Sequence, residues 1–156
     1  FYEGHGENMG GLTVLESRDV APTIDRMRFR IMGLSRAESR HYEGLREKLE
    51  SWLEEMDEEE FTIIMGHAPD YILDVAELPI DLCLAGHTHG GQVRIPFCGP
   101  LITGSSVPGD MVRGFHSVGN TRLNVSAGMG SEHADGIPAI RVNCPTEMTL
   151  IELVPL

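Results

Sequence analysis

The chain has 156 residues, of which 41% are apolar and 23% are charged, and its formal net charge is −12. This length and composition are typical of one soluble globular domain with a substantial core, and no apolar run is long enough to cross a membrane. The acidic charge argues against nucleic acid and anionic membranes as partners, because both are themselves negatively charged. Much of that charge lies at 54–60, which we interpret as a solvated helix end.

Loop and short strands are expected at the beginning of the chain. Glycine and polar residues predict a loop at 1–11, and short apolar runs indicate strands at 13–15 and 20–24. At 27–32 apolar residues alternate with two arginines, which predicts a half-buried strand.

An alternation of helices and strands follows. Helical spacing of apolar residues predicts a helix over 45–56, then strands at 61–65 and 82–85, with a shorter helix between them at about 70–78. Helices that alternate with strands in this order are typical of a parallel sheet, so the predicted fold class is α/β.

The second half of the chain is expected to alternate loops with short strands. The loops are a proline-containing segment at 96–110 and a glycine-rich segment at 128–131. The strands are 93–95, 115–118, 122–126 and 148–154, and a Gly-Asn turn joins the middle two into a hairpin.

Two of the predicted buried strands end in the same Gly-His pair. The strand at 82–85 is followed by Gly86-His87-Thr88-His89-Gly90-Gly91-Gln92, and the strand at 61–65 is followed by Gly66-His67. If the strands are neighbours, three imidazoles lie side by side at one sheet edge. Neutral imidazole is a ligand for transition metals such as manganese, iron and zinc, so the pattern predicts a metal site. The alternative is a set of loop histidines that bond only to backbone; the four remaining histidines lack partners at ligand spacing.

Other catalytic signatures are absent from the sequence. It contains no serine-hydrolase elbow, no P-loop, no dinucleotide fingerprint and no His-Glu-x-x-His motif. The three cysteines have neither metal nor redox spacing, and we expect Cys83 to be a core residue. Three histidines could hold a lone catalytic zinc, but glycine-rich loops at strand tips favour a phosphate group.

The two histidine motifs carry a resemblance to a known family. Gly66-His67-Ala68-Pro69 and Gly86-His87-Thr88-His89 resemble the last two motifs of the calcineurin-like metallophosphoesterases. The stretches 86–92, 126–130 and 143–147 resemble one branch, the bacterial and often membrane-associated phosphoesterases that include UDP-diacylglucosamine hydrolases. The resemblance implies a four-layer α/β/β/α sandwich.

The first three motifs of that family do not occur in this sequence. They are an Asp-x-His, a Gly-Asp-x-x-Asp and a Gly-Asn-His-Asp/Glu, and they supply the remaining metal ligands and a catalytic histidine. We therefore expect residues 1–156 to form the C-terminal part of one metallophosphoesterase domain whose N-terminal half is missing. A half-domain exposes apolar sheet surface, so we expect a complementing N-terminal half or self-association.

The resemblance implies hydrolysis of a phosphate ester or pyrophosphate by two divalent ions, which are manganese, iron or zinc. It assigns His67 and His87 to one ion and His89 to the other, and it assigns no catalytic acid or base to this chain. The substrate is a small molecule or is linked to lipid, its binding residues are not identified, and both a cytoplasmic and a membrane-associated location are open. The alternative is a non-catalytic metal-binding or scaffolding fragment. Alone, the chain is expected to be inactive and to hold at most one ion, shared by His67 and His87.

Overall fold

Parallel strands at the centre of one sheet organise the computed structural model, which describes residues 12–57, 59–133 and 139–154. Within those ranges seven strands pair in the order β1-β3-β4-β5-β9-β8, with β2 also paired to β3, and β6 and β7 form a separate antiparallel pair. The pairings β3–β4, β4–β5 and β5–β9 are parallel, and β8–β9 is an antiparallel hairpin. The strands are β1 (Arg18–Val20), β2 (Thr23–Ile24), β3 (Met27–Gly33), β4 (Phe61–Met65), β5 (Leu82–Ala85), β6 (Arg94–Ile95), β7 (Gly99–Pro100), β8 (Gly114–Val118) and β9 (Thr121–Val125).

Two helices and two single turns connect these strands. Helix α1 spans Leu45–Glu54 and helix α2 spans Ile72–Val75, which directly follows a 3₁₀ turn at Pro69–Tyr71. A second 3₁₀ turn spans His89–Gly91. The order helix, strand, helix, strand between α1 and β5 confirms the predicted α/β class and places the ends of β4 and β5 at the same sheet edge.

The helices cover one face of the sheet and leave the other thinly covered. The helix side holds the main core, in which residues of both helices pack on buried residues of the central strands: Met32, Leu45, Leu49, Trp52, Ile64, Ile72, Val75, Cys83 and Leu123. The opposite face, which we call the open face, has a smaller cluster of Phe29, Ile63 and Leu82. Two residues of the C-terminal segment, Ile151 and Leu153, pack against that cluster. The four-layer arrangement stays a prediction.

Several element predictions need correction. The strand predicted at 13–15 is wrong; the strands lie at β1 and β2, on either side of Ala21-Pro22, because proline cannot donate to a ladder. The helix predicted over 70–78 is shorter, since it ends at Val75. The final strand predicted at 148–154 is also wrong: alternate side chains pack on the open face, but in the described residues no strand pairs with this segment. The predicted loop at 1–11 lies outside the described residues.

The three cysteines lie in three different surroundings. Cys98 is exposed, Cys144 is buried beneath the turn that carries His89, and Cys83 is buried in β5 as predicted. Burial raises the pKa of the Cys83 thiol to about 12, although a hydrogen bond with Tyr71 acts in the opposite direction. Cys83 is therefore an inert core residue. None of the helices in the described ranges has the length and apolarity that a membrane span requires.

Candidate metal centre

Backbone hydrogen bonds join the two Gly-His loops at the ends of β4 and β5. The amide of Gly66 donates to the carbonyl of Leu84 at 2.9 Å, and the amide of Gly86 donates to the carbonyl of His67 at 3.1 Å. The parallel ladder thus continues one step beyond the strands. It fixes His67 and His87 at adjacent positions on one edge, as the sequence predicted.

Tyr71 packs directly below this edge and contacts both strands. Its hydroxyl lies 3.0 Å from the carbonyl oxygen of Leu84 and 3.3 Å from that of Ile64, and its ring is fully buried. A Cβ atom at Gly66 would lie only 2.6 Å from the Tyr71 ring. The first glycine of the motif is therefore required for close packing, and it gives the tyrosine room to join the ends of β4 and β5.

The structure brings His67 and His87 together as a pair. Their ring centroids are 4.7 Å apart, with an angle of 45° between the ring planes. The pKa of His67 is lowered, first by burial and then by the positive charges of His87, Arg36 and Arg40. A lowered pKa favours the neutral ring, which is the form that binds a metal.

One nitrogen of His87 is already engaged by its surroundings. Its Nε2 lies 3.2 Å from the carbonyl oxygen of Gly104 and 2.5 Å from Nη2 of Arg40. Arginine can only donate, so Nε2 bonds to one of these two partners at a time. In the tautomer whose Nε2–H donates to Gly104, the lone pair of Nδ1 is free for a metal.

Asp70 holds the loop that carries Gly104. Its buried carboxylate accepts hydrogen bonds from the Ser105 hydroxyl at 2.8 Å and from the Ser106 amide at 2.7 Å. The residues before these serines consequently lie against His87. Beside them is an open cleft of about 590 Å³, which is lined by Arg40, His41, Asp70 and residues 101–106.

His89 occupies a separate environment on the second loop. Its Nδ1 lies 3.1 Å from the carbonyl oxygen of Gly130 and 3.4 Å from Nη2 of Arg141. The preceding residue, Thr88, is buried and donates its hydroxyl to the carbonyl of Val112 at 2.6 Å. No ring contact joins His89 to the other two histidines among the described residues.

The described residues supply part of a ligand set. Across 12–57, 59–133 and 139–154, no group of three or more His, Cys, Asp or Glu side chains is arranged to hold a metal ion. The pairing of His67 with His87 is observed, while the assignment of all three histidines as ligands stays a prediction. Sequence reasoning missed Arg40, Asp70 and Arg141. Of these, Asp70 directly follows the first motif and could have been found from that position, whereas neither arginine lies in or next to a motif.

Comparison with known proteins gives several relatives that are named metallophosphoesterase or phosphodiesterase. The chain is 39% identical over 83 residues to an uncharacterized metallophosphoesterase of Bacillus subtilis, YkuE, and 34% identical over 92 residues to the phosphodiesterase YaeI of Escherichia coli. It is 35% identical over 104 residues to an uncharacterized metallophosphoesterase of Helicobacter pylori. No family model matches the chain, and no solved structure matches it.

The matched regions cover half or more of this chain but a minority of each relative. They include 52%, 59% and 66% of this chain and 28%, 32% and 26% of YkuE, YaeI and the Helicobacter protein, respectively. The chain thus spans about a third or less of the curated relatives it matches. The more specific resemblance to UDP-diacylglucosamine hydrolases stays a prediction.

Proposed function

We propose, from the similarity of this chain to proteins named metallophosphoesterase and phosphodiesterase and from its resemblance to the calcineurin-like family, that it contributes half of a dinuclear metal centre that hydrolyses a phosphate ester or pyrophosphate. His67 and His87 bind one ion and His89 binds the other. The observation that carries the proposal is the His67–His87 pair, whose rings lie 4.7 Å apart at the tips of adjacent parallel strands. The ions are manganese, iron or zinc, because neutral nitrogen ligands suit these better than magnesium.

The donor set supports this role. In His89 one ring nitrogen faces the carbonyl of Gly130, and in the tautomer of His87 that donates to Gly104 one ring nitrogen likewise bonds to a backbone carbonyl. Metal-binding histidines are held in this way, because the second nitrogen then fixes the orientation and the tautomer of the ring. When bound, divalent ions would supply Lewis acidity for phosphoryl oxygens and for an attacking water.

Arginines near the histidine pair supply a positive edge on an otherwise acidic protein. Arg36 and Arg40 are close enough to lower the pKa of His67. Their charge favours the approach of a phosphate group that the net charge of −12 would otherwise repel. The cleft beside Gly104 provides space for the rest of the substrate, which is a small phosphate ester or a lipid-linked one.

The missing ligands are proposed to come from outside the described residues. The open face is the surface that a complementing segment, or a second copy of the chain, would cover. Among the described residues, the side chains that pack on its cluster of Phe29, Ile63 and Leu82 are themselves partly exposed. Met148 and Leu150, which precede Ile151 in the C-terminal segment, are 82% and 94% exposed. Sedimentation velocity of the 156-residue chain should show self-association. A monomer with the unfolding transition of an intact domain would contradict this.

Metal binding and turnover are tested separately. Zinc titration by calorimetry should give at most one ion per chain, and binding should be lost in His67→Ala and His87→Ala but retained in the control His116→Ala. Two ions held by the isolated chain would contradict the proposal. The natural protein that carries this sequence should hydrolyse a chromogenic phosphodiester with manganese, and His87→Ala should reduce the rate at least about 100-fold.

A non-catalytic metal-binding fragment is the second candidate, favoured by the incomplete ligand set in the described residues. It would replace the first if the natural protein bound metal but turned over neither phosphodiester, phosphomonoester nor pyrophosphate.

A further inference from the structure

The guanidinium of Arg141 lies among backbone carbonyl groups from three separate segments. In the described part of the chain, six carbonyl oxygens lie within hydrogen-bonding range, and we call this set the carbonyl cluster. They belong to Ala127 at 2.6 Å, Gly130 at 2.6 Å, Gly128 and His89 at 3.2 Å, Pro145 at 3.3 Å and Cys144 at 3.4 Å. A guanidinium with five fixed N–H donors can serve such a cluster, whereas the point charge of a lysine cannot.

Gly130 links this cluster to the ring of His89. Its carbonyl oxygen is held by two nitrogens of Arg141, with Nη2 at 2.6 Å and Nε at 3.0 Å. The same oxygen lies 3.1 Å from Nδ1 of His89. A carbonyl can accept several hydrogen bonds but cannot donate one, so the ring nitrogen that faces it must carry the proton.

The nearby guanidinium enforces the same tautomer. Nη2 of Arg141 lies 3.4 Å from Nδ1 of His89, and a deprotonated Nδ1 would have to turn from the Gly130 carbonyl toward that donor. The 2.6 Å bonds of Nη2 to Ala127 and Gly130 already occupy its hydrogens. The Nδ1–H form therefore keeps the bond from His89 to Gly130 without displacing these bonds of Arg141, and it leaves the lone pair on Nε2.

We infer that Arg141 is a positioning residue that fixes His89 in the tautomer with a free Nε2, acting through the carbonyl of Gly130. This rests on the proposed function in one respect only, that Nε2 is the atom that binds metal. The fixed tautomer itself is a property of the chain without metal.

The inference gives a shared role to two stretches that the metal site alone does not explain. The stretch 126–130 supplies the carbonyl that faces the ring, and the stretch 143–147 closes the carbonyl cluster from the other side. Cys144 adds a contact from its Sγ to the carbonyl of His89 at 3.2 Å, and a Cβ at Gly90 would lie 2.7 Å from that sulfur. These two stretches and the turn at His89–Gly91 thus form one packed unit around Arg141.

The test reads the tautomer directly. ¹⁵N spectra of the imidazole nitrogens are recorded on the metal-free chain, and the signals of His89 are identified by their loss in His89→Gln. We expect Nδ1 to carry the proton, with slow exchange against solvent, and Nε2 to be unprotonated. A ring protonated at Nε2, or one that averages between the two forms, would overturn the inference without any variant at Arg141.

Substitution then tests the role of the arginine. Arg141→Lys keeps the positive charge but loses the five fixed N–H donors of the guanidinium, and we expect a mixture of tautomers at His89. The matched control is Arg113→Lys, which replaces another partly buried arginine, one that pairs with Glu147 of the stretch 143–147 at 2.9 Å. The control should keep the wild-type tautomer. An unchanged His89 spectrum in folded Arg141→Lys overturns the inference, and if that variant fails to fold, the wild-type spectrum decides.

Failure here is distinguishable from failure of the proposed function. In the natural protein, Arg141→Lys should weaken manganese binding about 10- to 100-fold, as is typical for residues that orient a ligand. A protein that shows the expected tautomer but binds no metal would contradict the proposed function alone. A protein that binds metal normally while its His89 ring averages between tautomers would contradict the positioning role alone.

Discussion

The loops after β4 and β5 begin with the same Gly-His pair, yet their backbones differ. The first loop continues from His67 through an extended Ala68 into a 3₁₀ turn at Pro69–Tyr71. The second loop takes positive φ angles at His87 (64°), His89 (49°) and Gln92 (43°). Non-glycine residues in this region each cost about 1–3 kcal/mol and persist only where the surroundings impose them.

The two loops are consequently stabilised by different means. The first loop is held by close packing on Tyr71 and by bonds to Ser39, whose hydroxyl accepts from the amide of Ala68 at 3.3 Å. The second loop is held by hydrogen bonds to distant segments: Thr88 donates to the carbonyl of Val112, and Arg141 donates to the carbonyl of His89. A short motif therefore predicts which side chains arrive at the sheet edge, while the tertiary contacts decide the backbone that presents them.

The largest difference between the loops is expected when one methyl group is added at the first glycine of each motif. Gly66→Ala places a Cβ 2.6 Å from the buried Tyr71 ring and should lower the free energy of unfolding by about 3 kcal/mol. Gly86→Ala meets nothing nearer than 3.9 Å and should change it by less than about 1 kcal/mol. Urea unfolding of both variants gives the measurement, and equal losses would contradict the packing difference.

Asp70 connects the first loop to the segment 104–106, which lies against His87, so removal of its carboxylate should loosen both the first loop and that segment. Asp70→Ala leaves the Ser106 amide and the Ser105 hydroxyl without their buried acceptor, and we expect a loss of about 2–3 kcal/mol in unfolding free energy. Amide exchange at 103–107 should rise at the same time. The exposed Asp110, in the same long loop, provides the control as Asp110→Ala, which should leave exchange at 103–107 unchanged.

Acid should weaken the support of the first loop through Glu38, which is the neighbour of Ser39 in the chain. Burial by itself raises the pKa of Glu38, but hydrogen bonds from Lys48, Ser17 and Ser35 outweigh it and hold the pKa at about 2, below the ordinary 4.5. The stabilisation by this carboxylate is therefore fully present above about pH 4.5 and is lost as the pH falls through about 2.

The stability difference between the wild type and Glu38→Gln measures this contribution. After allowance for partial solvent screening, we expect a difference of about 1–2 kcal/mol at pH 6, which stays constant down to about pH 4.5 and narrows from there toward pH 2. Glu38 lies next to Ser39, so amide exchange at Ala68 should rise with acid, whereas exchange at Gly90 should not follow this titration. A difference that is independent of pH would contradict the assignment.

The smallest effect is expected within the second loop, at Thr88. Thr88→Val removes a hydroxyl that donates to the carbonyl of Val112 at 2.6 Å and accepts from the amide of Gly90 at 3.3 Å, at nearly constant volume. We expect Thr88→Val to lower the unfolding free energy by about 1 kcal/mol. Thr88→Ser keeps the hydroxyl and should therefore keep most of the wild-type stability. If Thr88→Ser were as destabilised as Thr88→Val, the methyl group rather than the hydroxyl would be the important contact.

The sequence predicted the parts of the molecule that depend on local pattern. The helix at α1, the central strands and the adjacency of His67 and His87 follow from spacing of apolar residues and from the parallel order. The contacts of Arg40 and Arg141 could not be predicted in this way, since they join residues far apart in the chain. The strand expected at 148–154 was wrong because the same alternation is satisfied when Ile151 and Leu153 pack on a sheet face without strand pairing.

The different surroundings of the three cysteines allow partial opening of the structure to be measured without adding a label. Thiol-reactive reagents should modify the exposed Cys98 at once, because no structure must open first. Modification of Cys144 requires the turn of His89 to lift, and modification of Cys83 requires the helices to separate from the sheet. The ratio of the last two rates, each corrected for intrinsic thiol reactivity, would give the free energy that separates local opening of the second loop from global unfolding.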